Sequence, residues 1–230
     1  MNTLKKRITE ISQISEKSTS DLQEWRECRL ELAIAEDSVE MLQNRAKWLR
    51  EKSNLGKRFA SRTFETFEPN ENKTIYTACK RYVENRVFDA EKNGLIICGA
   101  CGTGKTHLAA AIANSLADEG VSVLFDTFSG HLEKLKEEFN SNSGAGYLNF
   151  MKNVDLLILD DVGKEKQTEW SESVMFGIIN SRYESMKPVI ITSNFSQKEL
   201  EEYFGGACYS RLIEMCYALN TKGDDYRRKQ

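Results

Sequence analysis

Residues Gly99 to Thr106 read Gly-Ala-Cys-Gly-Thr-Gly-Lys-Thr. This spacing of Gly99, Gly104, Lys105 and Thr106 suits one chemistry, the holding of a chain of phosphates. Glycines let the backbone turn tightly, so that successive N–H groups point at phosphate oxygens. Lys105 supplies a cation for the outer phosphates, and the Thr106 hydroxyl can hold Mg²⁺. With His107 at the end of the turn, the cradle comprises Gly99, Ala100, Cys101, Gly102, Thr103, Gly104, Lys105, Thr106 and His107. Farther on, the apolar run Leu156–Leu159 ends in two carboxylates, Asp160 and Asp161. A phosphate-transfer site needs an acidic group there to place the metal. Asp160 suits that task beside Thr106, and Asp161 suits polarising the attacking water. Thr192-Ser193-Asn194 closes the next apolar run. An Asn at that point can orient water near a terminal phosphate, although Ser and Asn also favour plain turns.

These groups need a scaffold that brings strand ends together. Gly94–Cys98 is short and Ile-rich, as a buried parallel strand should be. The Ala- and Leu-rich run 107–116 reads as the helix that follows the turn, and its N-terminus adds about half a positive charge. Further strand signals fall at Val121–Phe125, Val154–Leu159, Val189–Thr192 and Tyr217–Asn220. Helical signals fall at Lys73–Phe88, Leu132–Phe139 and Val174–Tyr183, with a flexible loop expected over 140–146. Strand–helix alternation predicts an α/β fold, a five-stranded parallel sheet flanked by helices.

The bulk numbers narrow the function. The chain has 230 residues, 40% of them hydrophobic, enough for one sizeable α/β core and a small accessory segment. A net charge of −3 gives no overall basic field for nucleic acid, so any such contact must be local. No apolar run is long enough to span a membrane, and no apolar stretch follows the charged start, so a cytoplasmic protein is expected. The six cysteines are scattered, which favours free thiols. Cys98-x-x-Cys101 has zinc-ligand spacing but no second ligand pair nearby, and structural zinc needs four converging ligands.

Residues 1–52 read as a small helical N-terminal domain. Leu4, Ile8 and Ile11 recur at helical spacing, and Ser20 with Gln23 can form a capping box. Trp25, Cys28, Leu32, Ala35, Val39, Leu42, Ala46 and Leu49 then alternate three and four apart, an a/d seam widened by Leu30, Ile34, Met41 and Trp48. Such a face must fold back as a hairpin, dock on the body, or bind another protein. Residues 53–72 read as a linker into the body at 73–230, with Phe59, Phe64 and Phe67 too apolar to hang free.

The phosphate turn followed by His-Leu-Ala-Ala-Ala-Ile, the strand Asp-Leu-Leu-Ile-Leu-Asp-Asp, Ile-Thr-Ser-Asn-Phe195, Tyr209-Ser-Arg211 and Lys222-Gly-Asp-Asp-Tyr-Arg227 occur in this order. The series resembles the AAA+ ATPases that load bacterial replicative helicases, the DnaC/DnaI type, and the related IstB-type transposition helper ATPases. The resemblance covers roughly residues 60–228. It implies ATP and Mg²⁺ as cofactors, Lys105 and Thr106 as the Walker A pair, Asp160 and Asp161 as the Walker B pair, and Asn194 as sensor 1. Arg211 matches the arginine finger that completes a neighbouring subunit's site, hence self-association through the ATP site, and Arg227 matches sensor 2. The chain departs from AAA+ proteins at large in carrying Asp161 where Glu is usual. With only Cys28 before Cys79, it also lacks the cysteine-ligated N-terminal module of some loaders. The implied partners are a hexameric replicative helicase, gripped by residues 1–52, and single-stranded DNA. His131, Lys134, Lys136 and Phe139 on one helix, with Trp170 beyond the Asp160 strand, are the candidate DNA contacts, although Glu133, Glu137 and Glu138 share that helix. The alternatives are a transposition helper acting with a transposase, or a nucleotide-dependent adaptor that barely hydrolyses ATP.

Overall fold

The computed structural model describes residues 5–7, 9–10, 24, 27–32, 53, 55–87, 90–140, 146–223 and 225–226. The chain divides into two compact units, Met1–Trp48 and Leu49–Gln230. In the first, every described residue is helical. Arg7 Nε donates to Glu24 Oε1 at 2.7 Å and ties the first helical stretch to the second. Of the a/d seam only Cys28 and Leu32 fall among the described residues, where the flanking Leu30 is 63% exposed. Leu4, Ile8, Ile11, the Ser20–Gln23 pair and the rest of the seam lie outside them.

The second unit is built on a parallel sheet. Its strands are β1 (Gly94–Cys98), β2 (Val123–Thr127), β3 (Leu156–Val162), β4 (Val189–Ser193) and β5 (Cys216–Asn220), in the order β2-β3-β4-β1-β5. Both faces are covered, so the inner strands are apolar without alternation; β1 and β4 are buried throughout. On one face, Leu95, Ile97, Phe125, Ile158 and Ile190 pack against α2 (Lys73–Glu84) and α3 (Lys105–Asp118). Four fully buried alanines, Ala109, Ala110, Ala111 and Ala113, let α3 lie close to the strands. Phe64 and Phe67 from the stretch before α2 join this cluster, and α1 (Lys57–Ala60) packs its Phe59 ring 5.3 Å from Phe125.

The opposite face of the sheet carries α4 (Phe128–Asn140), α5 (Gly146–Asn153), α6 (Glu169–Glu184) and α8 (Gly206–Met215); α7 (Gln197–Phe204) precedes α8. The strand segments match the sequence reading, Gly94–Cys98 at both ends and the others with ends shifted by at most three residues. Three helical features differ from it. Residues 146–153 form α5, a helix the sequence reading leaves unassigned and which takes in only Gly146 of the expected loop; buried Met151 gives that short segment a core contact. Residues 141–145 of the expected loop lie outside the described residues. The helices α7 and α8 were not anticipated, although Ser196 and Glu199 form a reciprocal capping box at the start of α7. Among the described residues no helix is long and apolar enough to cross a membrane.

Candidate nucleotide site

β1 ends against the phosphate turn. Gly99 has φ 141° and Gly104 φ 96°, conformations that L side chains rarely adopt. Closeness excludes side chains as well: a Cβ on Gly104 would lie 2.6 Å from the Phe67 ring. The turn is clipped from outside by the residue after β5. The Thr221 and Thr103 hydroxyls lie 2.6 Å apart, one donating to the other, and stand 2.9 Å from the Cys98 carbonyl and 2.8 Å from Ala100 O respectively.

Lys105 opens α3 and is 5% exposed. Its Nζ donates to the carbonyls of Gly99 and Ala100, both at 2.8 Å. Burial pulls its pKa below the ordinary lysine value, opposed chiefly by the charge of Asp161. Facing it, Asp160 is buried at the end of β3 and accepts hydroxyl protons from Thr106 at 2.9 Å and Thr192 at 2.5 Å. Burial pushes the Asp160 carboxyl up to about 6; the Thr192 hydrogen bond acts against it, and Asp161 adds to the rise. Asp161 sits at an irregularity in the β3–β4 register, with φ 56°. Its N–H donates to Thr192 Oγ1 at 2.9 Å, and its carboxylate meets Lys164 Nζ at 2.7 Å. Asn194, just past β4, is exposed.

Cys101 through His107, Thr127, Asp160, Asp161, Lys164 and Asn194 line one cavity of about 660 Å³, a size that suits a nucleotide. Its far wall comes from the segment before α2 and the tail after β5. Phe67, Asn72, Lys222, Gly223 and Tyr226 stand there. Asn72 joins the two by donating to Lys222 O at 2.9 Å and accepting from Lys222 N at 2.8 Å. Tyr226 N–H reaches Gly102 O at 3.2 Å. The oxygen donors at the cavity floor, the Asp160 carboxylate and the Thr106 hydroxyl, fit Mg²⁺, which takes one or two protein oxygens and completes its shell with phosphate and water.

His107 lines the cavity but is committed elsewhere. Its Nε2–H donates to Thr63 O at 2.9 Å and its ring meets Phe67 edge-on. Burial lowers its pKa. Arg211 is not among the cavity-lining residues. It lies half-buried on α8, its guanidinium 5.6 Å from the Phe176 ring and 5.7 Å from that of Tyr183, with Nη1 donating to Ala207 O. Arg227 lies outside the described residues.

The candidate DNA contacts separate. His131 is fully buried, donating from Nε2 to Ile158 O at 3.2 Å and accepting from the Tyr147 hydroxyl at 2.8 Å; burial takes its pKa down to about 4. It is a core residue that ties α4 to β3, not a surface contact. Lys134 pairs with Asp126 at 2.8 Å. Lys136 and Phe139 instead gather on Trp170, at 5.3 Å and 6.4 Å from its ring, on the surface. Sequence reasoning missed Thr192 as the link between the Asp160 carboxylate and the Asp161 backbone, and Lys164. The signals were there: a hydroxyl two residues before Asn194, and a lysine three residues after Asp161 across a glycine.

The family model described as IstB-like ATP binding protein matches residues 2–230. The replicative helicase loader DnaC of Escherichia coli K12 is 34% identical over 58% of this chain and 54% of its own length. The insertion sequence IS21 putative ATP-binding protein of Pseudomonas aeruginosa is 31% identical over 72% of the chain and 62% of its own length. The chain thus spans between about half and two thirds of these two curated relatives. Among solved structures, a crystal structure of the DnaC helicase loader aligns with 73% of this chain and 100% of that one, at TM-score 0.66 and 27% identity. AMPPCP-bound DnaA from Aquifex aeolicus aligns with 76% of this chain and 53% of that one, at TM-score 0.64 and 27% identity.

Proposed function

Because the chain belongs to the IstB-like ATP-binding protein family, we propose that it is an ATP-driven loader that grips a hexameric replicative helicase and helps place it on single-stranded DNA. The observation that carries this reading is the convergence of Lys105, Thr106, Asp160, Asp161 and Asn194 on one cavity behind a glycine turn. In this reading the amides of 99–104 and Lys105 hold the phosphates of ATP. Thr106 and Asp160 would hold Mg²⁺, which would supply charge neutralisation there. Asp161 takes a proton from water as the water oxygen bonds the γ-phosphorus. The bond from that phosphorus to the bridging oxygen breaks, and ADP keeps the electron pair. Asn194 orients the water. Arg211, away from its own subunit's cavity, serves the site of a neighbouring subunit by spreading positive charge over the phosphoryl group.

Residues 1–52 make the helicase contact, through a helix face of the kind read from their seam. The Lys136–Phe139–Trp170 patch offers a cation and two rings, the combination that stacks bases and tracks a backbone. Hydrolysis releases the loader. Gel filtration of the chain with its cognate hexameric helicase tests the reading: co-elution with ATP and loss of the complex after hydrolysis are expected, and separate elution under both conditions contradicts it. The similarity to the IS21 protein favours a second reading, a transposition helper. Stable capture of the cognate transposase instead of the helicase decides for it.

A further inference from the structure

We propose that Lys164 is a positioning residue that latches the Asp161 carboxylate and so sets the resting rate of ATP turnover. The inference rests on the reading of Asp161 as the group that activates water. Asp161 stands where the register against β4 shifts, between Leu159 and Val162. Irregularities of this kind re-aim side chains beside active sites. After it the chain turns at Gly163, φ 93°, and Lys164 N–H comes back to Asp161 O at 3.4 Å. That turn brings Lys164 Nζ to 2.7 Å from Asp161 Oδ2.

The turn is held from two sides. A Cβ on Gly163 would lie 2.2 Å from the Phe195 ring, so that ring packs directly on the backbone. Glu165 accepts from Gly163 N–H at 3.2 Å and from the Tyr203 hydroxyl of α7, and Gln167 Nε2 donates to Tyr203 O at 2.9 Å. The backbone at Lys164 is therefore placed by packed groups, which set its side chain beside Asp161. Its ammonium faces a carboxylate, whereas Lys105, which also lines the cavity, already faces the phosphate turn. An Asp161 oxygen held by an ammonium is not free to take a proton from water. With the two side chains 49% and 28% exposed, the pair is a weak one, which restrains turnover without abolishing it.

The test uses the full chain, measuring ATP turnover without partners and equilibrium affinity for a fluorescent non-hydrolysable ATP analogue. Lys164→Gln should raise kcat about three- to tenfold, with KM and analogue affinity changed by less than about twofold. Lys164→Arg, which can rebuild the pair, should bring kcat below about half that of Lys164→Gln. A lower kcat for Lys164→Gln, or analogue affinity weakened about tenfold, overturns the latch and makes Lys164 a phosphate-binding cation instead. Asp161→Asn separates the two levels. Its inactivity leaves only the latch at stake in the Lys164 series, whereas undiminished turnover in Asp161→Asn overturns the reading of Asp161 and the latch together.

Discussion

Asp160 is buried among apolar strand residues with its carboxyl raised to about 6, and that is a stability liability at neutral pH. The folded-state value lies above the ordinary one, so folding favours the protonated form. The stabilising form is therefore present at low pH and lost as pH rises through about 6. Asp160→Asn should raise the thermal stability of the nucleotide-free chain at pH 7.5 by about 1–3 kcal/mol and flatten its stability between about pH 4 and 6 relative to the parent. Calorimetry across that range checks it. The same variant should lose Mg²⁺-dependent nucleotide binding. Thr192 works on both aspartates at once, donating to the Asp160 carboxylate and accepting from the Asp161 backbone amide. Thr192→Val keeps the shape and removes both bonds. It should lower kcat about tenfold or more with little change in analogue affinity, as steady-state kinetics will read.

At the scale of elements, the helices are fixed by single buried polar groups as much as by apolar packing. Arg182 on α6 is fully buried and donates to the carbonyls of Met151, Lys152, Asp155 and Pro188. It thereby caps the end of α5 and the start of β4. Arg182→Met strands those carbonyls, and should cost about 3 kcal/mol, or a melting temperature lower by about 6–12 °C. The strands were legible in the sequence because each is a short apolar run between turn signals, and the phosphate turn was legible because its spacing leaves few other uses. The α5 helix was not, since Gly146-Tyr-Leu-Asn follows a run of Ser, Asn and Gly that reads as loop, and only the burial of Met151 commits it. His131 misled for the related reason that a histidine among lysines and glutamates reads as surface. Its buried position depends on Tyr147 and Ile158, residues far along the chain. Lys164 and Thr192 were invisible as a set because a turn and a neighbouring strand, not sequence proximity, bring them onto Asp160 and Asp161.

At the scale of the whole molecule, the candidate site is built from parts distant in sequence: the phosphate turn, the ends of β2, β3 and β4, the stretch before α2 and the tail after β5. Arg211 lies outside that set, stacked on Phe176 and Tyr183. A finger used in trans requires a head-to-tail arrangement of copies, in which each subunit offers a pocket to one neighbour and an arginine to the other. The most direct test is to mix two variants. Asp161→Asn keeps its arginine but lacks the water-activating carboxylate, and Arg211→Ala keeps a complete pocket but lacks the arginine. Each alone should be inactive in steady-state ATP turnover with the cognate helicase present. An equal mixture should recover up to about a quarter of parental turnover, from pockets of one variant completed by arginines of the other. A mixture as inactive as its components, or an Arg211→Ala variant that hydrolyses ATP at the parental rate, contradicts the account.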